Sequence, residues 1–188
     1  MAIDERLVFY TGKNVKLKVL TKQDIEESNW VGWFNDEKMN DFNTHHVYPN
    51  TFKNQEAFLE SCISKEKIQL GILDKTKDDV ICGVVSLSSI NMLHRNCEIA
   101  GIMDVEYSRK NPALFLEAWS IMMRHGFEEL GLQKIFGGSF HPHVAEALVR
   151  VFNFEIEGVR KKHIFKRNQF HDVINVGVFK DTIKYPEF

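Results

Sequence analysis

The sequence lacks the features that mark secreted and membrane-spanning chains. Its three cysteines, Cys62, Cys82 and Cys97, are odd in number and widely spaced, and two lie in apolar runs. This pattern favours buried free thiols in a reducing compartment over a disulfide framework. No apolar run approaches the roughly 20 residues that a bilayer-spanning helix needs. The first residues show no cationic start before an apolar stretch. We therefore expect no signal peptide, no membrane partner and a soluble cytoplasmic protein.

A surplus of basic charge is missing as well. The chain has 24 Lys and Arg residues against 26 Asp and Glu, a formal net charge of −2 at pH 7. Nucleic-acid-binding domains are usually clearly basic, so we expect no nucleic-acid partner. The sequence also has no internal repeat and no low-complexity linker. With 188 residues, 44% of them hydrophobic, it predicts one domain over residues 1–188.

The first third of the chain predicts one strand and two helices. Residues 15–20 alternate apolar and basic side chains, the pattern of a half-buried strand. Thr21 and Asp24 form a predicted capping box, and the helix after it should run toward Phe34 and end before Asp36. Residues 41–51 mix turn residues with aromatics and are predicted as a packed loop. A second helical pattern covers residues 51–67.

The rest of the chain is rich in strand patterns. Strands are predicted over residues 69–73, 80–90 and 96–105, and the short turns between them indicate an antiparallel meander. The segments predicted after the meander are a polar connection over 107–111, a helix over 113–130, a strand over 134–140, a helix over 144–152 and a hairpin over 155–165 and 173–180. This order predicts a mixed α/β sheet in which the fourth and fifth strands can lie parallel.

Residues 96–119 join a strand, a polar connection and the start of a helix. Free backbone amides at a helix N-terminus attract anions, and Arg109 and Lys110 add positive charge beside them. The segment therefore suggests an anion site. An ordinary strand–turn–helix connection explains the same pattern, so this segment alone leaves both interpretations open.

Several segments, in this order, resemble the GCN5-related N-acetyltransferase (GNAT) superfamily, with the ribosomal-protein-alanine and amino-sugar acetyltransferases most similar. They are VKLKVLTKQD at 15–24, WFNDE at 33–37, NCEIA at 96–100, NFEIEG at 153–158, and RKKH at 160–163 followed by HDV at 171–173. The resemblance spans nearly the whole chain. It implies an α/β (α+β) fold with a mixed, mostly antiparallel sheet of six to seven strands, splayed fourth and fifth strands, and helices on both faces.

The resemblance also implies transfer of an acetyl group from acetyl-CoA, as co-substrate and without a metal, to a primary amine. In the family, pantetheine pairs with the fourth strand, and the pyrophosphate lies on the loop and helix N-terminus that follow. Backbone amides at the strand end would stabilise the oxyanion. The implied cofactor-binding residues are Met103, Asp104 and Val105 for pantetheine, and Arg109, Lys110, Asn111 and Ala113 for the pyrophosphate.

The chain departs from the family pattern at two places. The family's glycine-containing phosphate loop aligns with KNPALF at 110–115, which has no glycine, so Arg109 and Lys110 would contact phosphate directly. The tyrosine that protonates the departing thiolate in many relatives aligns with Val149. His143, or the neighbouring His141, could donate that proton instead. A solvated loop histidine explains the same residues.

Glu98 lies in an otherwise apolar strand and is the predicted general base, acting directly or through water, since burial would raise its pKa. The alternative is a structural carboxylate held by backbone donors or by Arg95. The predicted acceptor-binding residues are Asn35, His45, His46 and Tyr48. The alternative for the loop residues among them is an ordinary surface loop. No metal site is expected, because adjacent histidines point apart and no cysteine or carboxylate spacing completes a ligand set.

The sequence thus predicts an acetyl-CoA-dependent N-acetyltransferase that works by direct transfer in a ternary complex, as a monomer or homodimer. The preferred acceptor is a nucleotide-linked amino sugar or a similar small amine. Three alternatives remain: a protein N-terminal amine as the acceptor, a longer acyl group as the donor, and a non-catalytic acyl-CoA-binding module. The missing glycines and tyrosine favour the last of these. The basic residues of the final hairpin are mainly a solvated face that could meet an acceptor phosphate.

Overall fold

An eight-stranded sheet forms the centre of the computed structural model, which describes residues 4–41 and 43–188. The strands are β1 Val8–Thr11, β2 Val15–Val19, β3 Ile68–Asp74, β4 Val80–Asn91, β5 Asn96–Met103, β6 Lys134–Ser139, β7 Glu155–Lys166 and β8 Gln169–Phe179. Their order in the sheet is β1-β2-β3-β4-β5-β6-β8-β7. All neighbours are antiparallel except β5 and β6, which pair in parallel.

Six α-helices flank the sheet. They are α1 Lys22–Glu27, α2 Trp30–Asn35, α3 Phe52–Leu59, α4 Val105–Lys110, α5 Ala113–Arg124 and α6 Pro142–Phe152. A π-helical turn, His125–Glu129, continues α5, and a 3₁₀ turn, Glu5–Leu7, precedes β1. Among the described residues, no helix has the length and apolar content to cross a bilayer. Two predictions fall partly outside the described residues. The expectation of no signal peptide involves residues 1–3, and the predicted packed loop includes Phe42.

The predicted fold class is confirmed, with one strand more than expected. The sequence indicated six to seven strands, and β1 was missed because it is a four-residue edge strand whose side chains are only partly buried. The fourth and fifth predicted strands are therefore β5 and β6. They pair only between residues 96–98 and residues 134–136. Beyond these residues β5 and β6 separate, which is the predicted splay.

Two helix predictions need correction. The helix predicted over 51–67 ends at Leu59, and Ile63 instead forms a bridge with Ile68 and is half exposed, at 51%. The predicted helix after Thr21 is broken into α1 and α2, because the Ser28 hydroxyl accepts from the Trp30 amide at 3.1 Å and starts a new helix. The Thr21 amide does donate to the Asp24 carboxylate, at 2.7 Å, as the capping box predicts.

The polar connection predicted over 107–111 was also wrong, since most of it is helix α4. The side chain of Asp104 caps this helix by accepting from the amides of Glu106 at 2.9 Å and Tyr107 at 3.4 Å. A helix N-cap offsets the unpaired amides of the first turn, which lets a six-residue helix form here. The strand before it accordingly ends at Met103 rather than at Val105.

Alternation along β5 sends its side chains to two different cores. Cys97, Ile99 and Met103 are buried in the larger core, beneath α5 and α6. Ile102 packs against the smaller core, which is built around Trp30 and Trp33 of α2. Glu98 and Ala100 share the face of Ile102, so they lie on the side of the sheet that α1, α2 and α3 cover. The two faces of β5 therefore contact different sets of helices at the splay.

Candidate active site

The splay leaves one edge of β5 without a strand. β4 pairs with the other edge of β5 as far as Met103, whereas β6 pairs with β5 only as far as Glu98. Among the described residues, no strand covers residues 99–103 on the β6 side. An extended ligand with amide groups can pair with such an edge as an added strand does. The splay is thus a site for an extended chain in the plane of the sheet.

At the splay, Gly101 of β5 is exposed to the cavity face of the sheet and contacts α5 on the other face. On one face, Gly101 lines a cavity beneath the α2–α3 connection. On the other, a Cβ atom at this position would lie 2.9 Å from the Phe115 ring and 2.8 Å from the Val84 carbonyl oxygen. Only a glycine lets the Phe115 ring lie so close to the strand. Phe115 therefore lines the α5 side of the opening. Its ring centroid is 5.4 Å from that of Trp119.

The cavity on the α1–α3 face has a volume of about 510 Å³. Its floor is a row of three residues from neighbouring strands, because Gln69 pairs with Ser86 and Ser86 pairs with Ala100. Phe34, Phe58 and the loop of residues 43–50 form its sides. No Asp, Glu, Lys or Arg is among the lining residues that the structure describes. The cavity is therefore neutral and polar at its floor, and aromatic at its sides.

Glu98 lies on the cavity face of β5, two residues from Ala100 of the floor. Two residues along a strand correspond to roughly 7 Å. Its carboxylate is partly buried and makes no hydrogen bond or ion pair with any residue that the structure describes. The cross-strand neighbour of Glu98 is Ser88. The alternative of a carboxylate held by Arg95 thus finds no support in these contacts, and Glu98 presents a free carboxylate beside the cavity.

Three of the predicted acceptor-binding residues line the cavity together. His45 packs its ring edge-on against Phe34, with centroids 4.6 Å apart, and its pKa is lowered by desolvation and by the nearby Lys166. His46 has a left-handed backbone, with φ of 64°, and Tyr48 is 85% exposed at the rim.

The fourth predicted acceptor-binding residue, Asn35, has a different position. Asn35 is not among the lining residues. Its side chain instead donates to the Asn50 carbonyl at 2.9 Å and accepts from the Asn50 amide at 2.7 Å. Asn35 thus closes the base of the loop, and it supports the cavity rather than lining it.

The tip of the β7–β8 hairpin holds the same loop from the opposite side. The Lys166 ammonium group donates to the carbonyls of Asn40 and Asn43, the latter at 2.6 Å. Arg167 pairs with Asp41 at 2.6 Å and Glu37 at 3.2 Å. Burial and the neighbouring Arg167 lower the pKa of Lys166. The hairpin thereby spans the open end of the splay and fixes the cavity wall.

The three predicted pantetheine-binding residues already have contacts within the chain. Met103 is buried and pairs with Gly83 of β4. The Asp104 amide donates to the Cys82 carbonyl at 2.8 Å, and the Val105 amide points at the Met39 sulfur at 3.0 Å. Both amides therefore have partners within the chain. The free edge of β5 lies before them, at residues 99–103.

The predicted pyrophosphate-binding residues lie at the end of α4 and the start of α5. Lys110 forms an ion pair with Glu106 at 3.0 Å, whereas Arg109 is exposed and has no hydrogen bond or ion pair within the described part of the chain. The Asn111 amide donates to the Tyr107 carbonyl at 2.8 Å and closes α4. Ala113 is the first residue of α5. Arg109 is thus the cation that is available to an anion.

The predicted proton donor lies at the open end of β6. His143 is in the first turn of α6, where its ring contacts Glu146 at 3.2 Å and its side chain is 82% exposed. The ring of His141 lies 5.2 Å from that of His143. Val149, at the family's tyrosine position, packs against the larger core. His143 is not among the residues that line the cavity.

Sequence reasoning missed three buried polar residues that line the cavity. Gln55 and Gln69 are 2% and 5% exposed, and Ser86 is 8% exposed. A signal was present for Gln69, since it is a polar residue at the start of a run of apolar strand residues. Its position on the cavity face depends on the register of β3 with β4, which only the structure provides.

Solved structures share the fold of this chain. A crystal structure of a probable acetyltransferase superposes with a TM-score of 0.80 at 17% identity, covering 94% of this chain and 98% of the other. The spermidine N-acetyltransferase from Vibrio cholerae, in complex with CoA and spermine, gives a TM-score of 0.79 at 19% identity, covering 91% of this chain and 98% of the other. No family model and no curated protein sequence matches the chain. On the evidence of the splayed sheet and these superpositions, the chain has the GNAT acetyltransferase fold.

Proposed function

We propose that the protein transfers an acetyl group from acetyl-CoA to the primary amine of a small acceptor. The observation that carries the proposal is the splay, which brings a free strand edge and the cavity together at Gly101. A donor lying in the plane of the sheet would meet an acceptor in the cavity there. Direct transfer between two bound substrates needs such a meeting point.

The residues on the α5 side fit acetyl-CoA. The free edge of β5 at residues 99–103 offers backbone groups to the pantetheine amides, and Arg109 offers a guanidinium group to the pyrophosphate. Ala113 stands at the start of α5, where backbone amides favour an anion. Acetyl-CoA supplies the activated acetyl thioester. The chain supplies its orientation and the exclusion of water by Phe115.

Glu98 is the proposed general base for the acceptor amine. Glu98 is not itself among the lining residues, but its carboxylate lies on the cavity face of β5, two residues from Ala100, so it can take the ammonium proton directly or through water. His143 is the proposed donor of the proton to the departing thiolate, because it begins the helix at the open end of β6. In an assay of CoA thiol release, His143→Asn should lower kcat more than it changes KM.

The proposed acceptor is an amino sugar or a similar neutral-bodied amine, with a nucleotide-linked sugar preferred. A polyamine carries several positive charges and is bound best by carboxylates, which the described lining residues do not include. Amide, hydroxyl and aromatic groups suit the hydroxyls and ring face of a sugar. Exposed basic residues on β7, among them Arg160 and Lys162, could meet an attached phosphate.

The proposal is tested by release of free CoA thiol from acetyl-CoA against a panel of amines. The panel should contain amino sugars, nucleotide-linked amino sugars, spermidine and a short peptide with a free N-terminal alanine. We expect turnover with the amino sugars. Acetyl-CoA binding without turnover on any amine would instead support a non-catalytic module, and turnover restricted to the peptide would support an N-terminal acetyltransferase.

A further inference from the structure

Two glutamines that line the cavity have side-chain donors or acceptors without a hydrogen-bond partner among the described residues. Gln55 of α3 and Gln69 of β3 are 2% and 5% exposed, and both line the cavity. A buried amide without a partner loses its hydrogen bonds to water and gains none in exchange, so it destabilises the fold. Water or a ligand in the cavity supplies the missing partners of such groups.

The orientation of the Gln55 amide is fixed from outside the cavity. Its Oε1 atom accepts from the Asn50 side-chain nitrogen at 2.8 Å, which leaves Nε2 as the remaining donor. Nε2 is buried and has no hydrogen-bond partner among the described residues. Asn50 is in turn held by its two hydrogen bonds to Asn35. The chain therefore positions one NH₂ group in advance and leaves it free.

Gln69 adds a second amide beside a hydroxyl on the cavity floor. The side chain of Gln69 makes no hydrogen bond within the described part of the chain, and its cross-strand neighbour is Ser86. The Ser86 hydroxyl has only a long contact of 3.5 Å, to the Ala100 carbonyl. Neighbours across antiparallel strands lie about 5 Å apart, so both groups can contact one small substituent.

We infer that Gln55 and Gln69 form a neutral amide subsite that binds an uncharged oxygen-bearing group of the acceptor, a hydroxyl or a carbonyl. The inference rests on the proposed function and deepens it, because it says which part of the acceptor the cavity selects. The amine is at the Gly101 end of the cavity, and the oxygen-bearing group is at the Gln55–Gln69 end. An alkyl polyamine has no acceptor atom for the free NH₂ group of Gln55.

Gln55→Glu is the sharpest test, because it keeps an oxygen for Asn50 and replaces the free NH₂ donor with an acceptor. We expect KM for amino sugars to rise at least tenfold with kcat within about threefold, and Gln69→Glu to act in the same direction. Calorimetry with N-acetylated sugars, which need no turnover, should show the same loss of affinity. Gln133→Glu is the matched control, since it makes the same substitution at an exposed residue outside the cavity. This control should have little effect.

Gln55→Met guards against a variant that fails to fold, because it removes the donor without adding a buried charge. It should also weaken sugar binding, and unchanged binding would overturn the subsite. A wild-type protein that binds no sugar of the panel would overturn it as well. These last results leave acetyl transfer intact. The two proposals can also fail separately. If the wild type binds sugar but not acetyl-CoA, and the variants lose sugar binding, the subsite stands and the proposed function is rejected.

Discussion

At the scale of single residues, the account depends most on Glu98. Its carboxylate lies on the cavity face of β5 with no partner among the described residues, so a catalytic use explains it better than a structural one. Glu98→Gln should lower kcat by roughly 100-fold with KM and acetyl-CoA affinity little changed, as loss of a general base does. Steady-state thiol release measures this. Ser88→Ala, at the cross-strand neighbour, is the control, and full turnover in Glu98→Gln would return the carboxylate to a structural role.

A second residue-scale prediction concerns stability and pH. The Tyr10 hydroxyl lies 2.9 Å from His125 Nδ1, and burial lowers the pKa of His125 below its usual 6.5. The ring in the folded protein therefore takes up a proton at a lower pH than in the unfolded chain, where it does so near pH 6.5. Its stabilising contribution is complete above that pH and is lost as the pH falls toward the folded-state pKa.

Urea unfolding at pH 7.5 and pH 5.5 checks this expectation. The wild type should lose more unfolding free energy between the two pH values than His125→Gln, which keeps a polar partner for Tyr10 but does not titrate. Comparing the two differences cancels the titration of the other groups. Equal losses in both proteins would show that His125 titrates normally in the folded state.

At the scale of elements, α4 and the start of α5 lie where the resemblance implies a glycine-containing phosphate loop. The sequence indicated that Arg109 and Lys110 take over phosphate binding, but it could not show that Lys110 is already paired with Glu106 at 3.0 Å. We therefore expect Arg109→Ala to weaken acetyl-CoA binding by roughly tenfold, about 1.4 kcal/mol. Lys110→Ala is the comparison and should have a smaller effect. Unchanged affinity in the double variant would remove this segment from the donor site.

The β7–β8 hairpin is the second element with a testable role. Lys166 donates to the carbonyls of Asn40 and Asn43 and so holds the cavity wall. Lys166→Met should raise KM for the acceptor by roughly fivefold, because the wall loses two charge-assisted hydrogen bonds, while acetyl-CoA affinity stays the same. Lys161→Met on the same strand is the control, since that lysine pairs with Asp172 and with no other residue that the structure describes. Steady-state kinetics with the acceptor varied distinguishes the two variants. An equal effect on acetyl-CoA affinity would place Lys166 outside the acceptor wall.

Prediction from sequence succeeded where a segment's own pattern decides its structure. The period-2 alternation of residues 15–20 and the short turn between β3 and β4 both reflect local physics. It failed where a single side chain decides, as with the Asp104 cap that turns a predicted loop into α4. It also failed where pairing decides, since the cavity floor depends on the β3–β4 and β4–β5 registers. Site residues built from several elements, such as Gln55 with Gln69, are beyond local patterns.

At the scale of the whole molecule, the splay between β5 and β6 creates the opening in which the proposed donor site lies. A parallel pair that stops after three residues would otherwise leave unpaired backbone groups in the middle of a sheet. A bound donor in the opening would satisfy them and link the two faces. The account therefore predicts that donor binding stabilises the whole fold, since a ligand that binds only the native state raises the free energy of unfolding.

The most direct measurement is titration calorimetry of the wild-type protein with acetyl-CoA, repeated on Arg109→Ala. The account predicts one binding site per chain, a Kd in the range of roughly 1–100 μM, and weaker binding in the variant. The same titration with free phosphate should show much weaker binding or none, because the pantetheine arm contributes the strand pairing. No detectable binding of acetyl-CoA to the wild type would contradict the central claim that the splay holds an acyl donor.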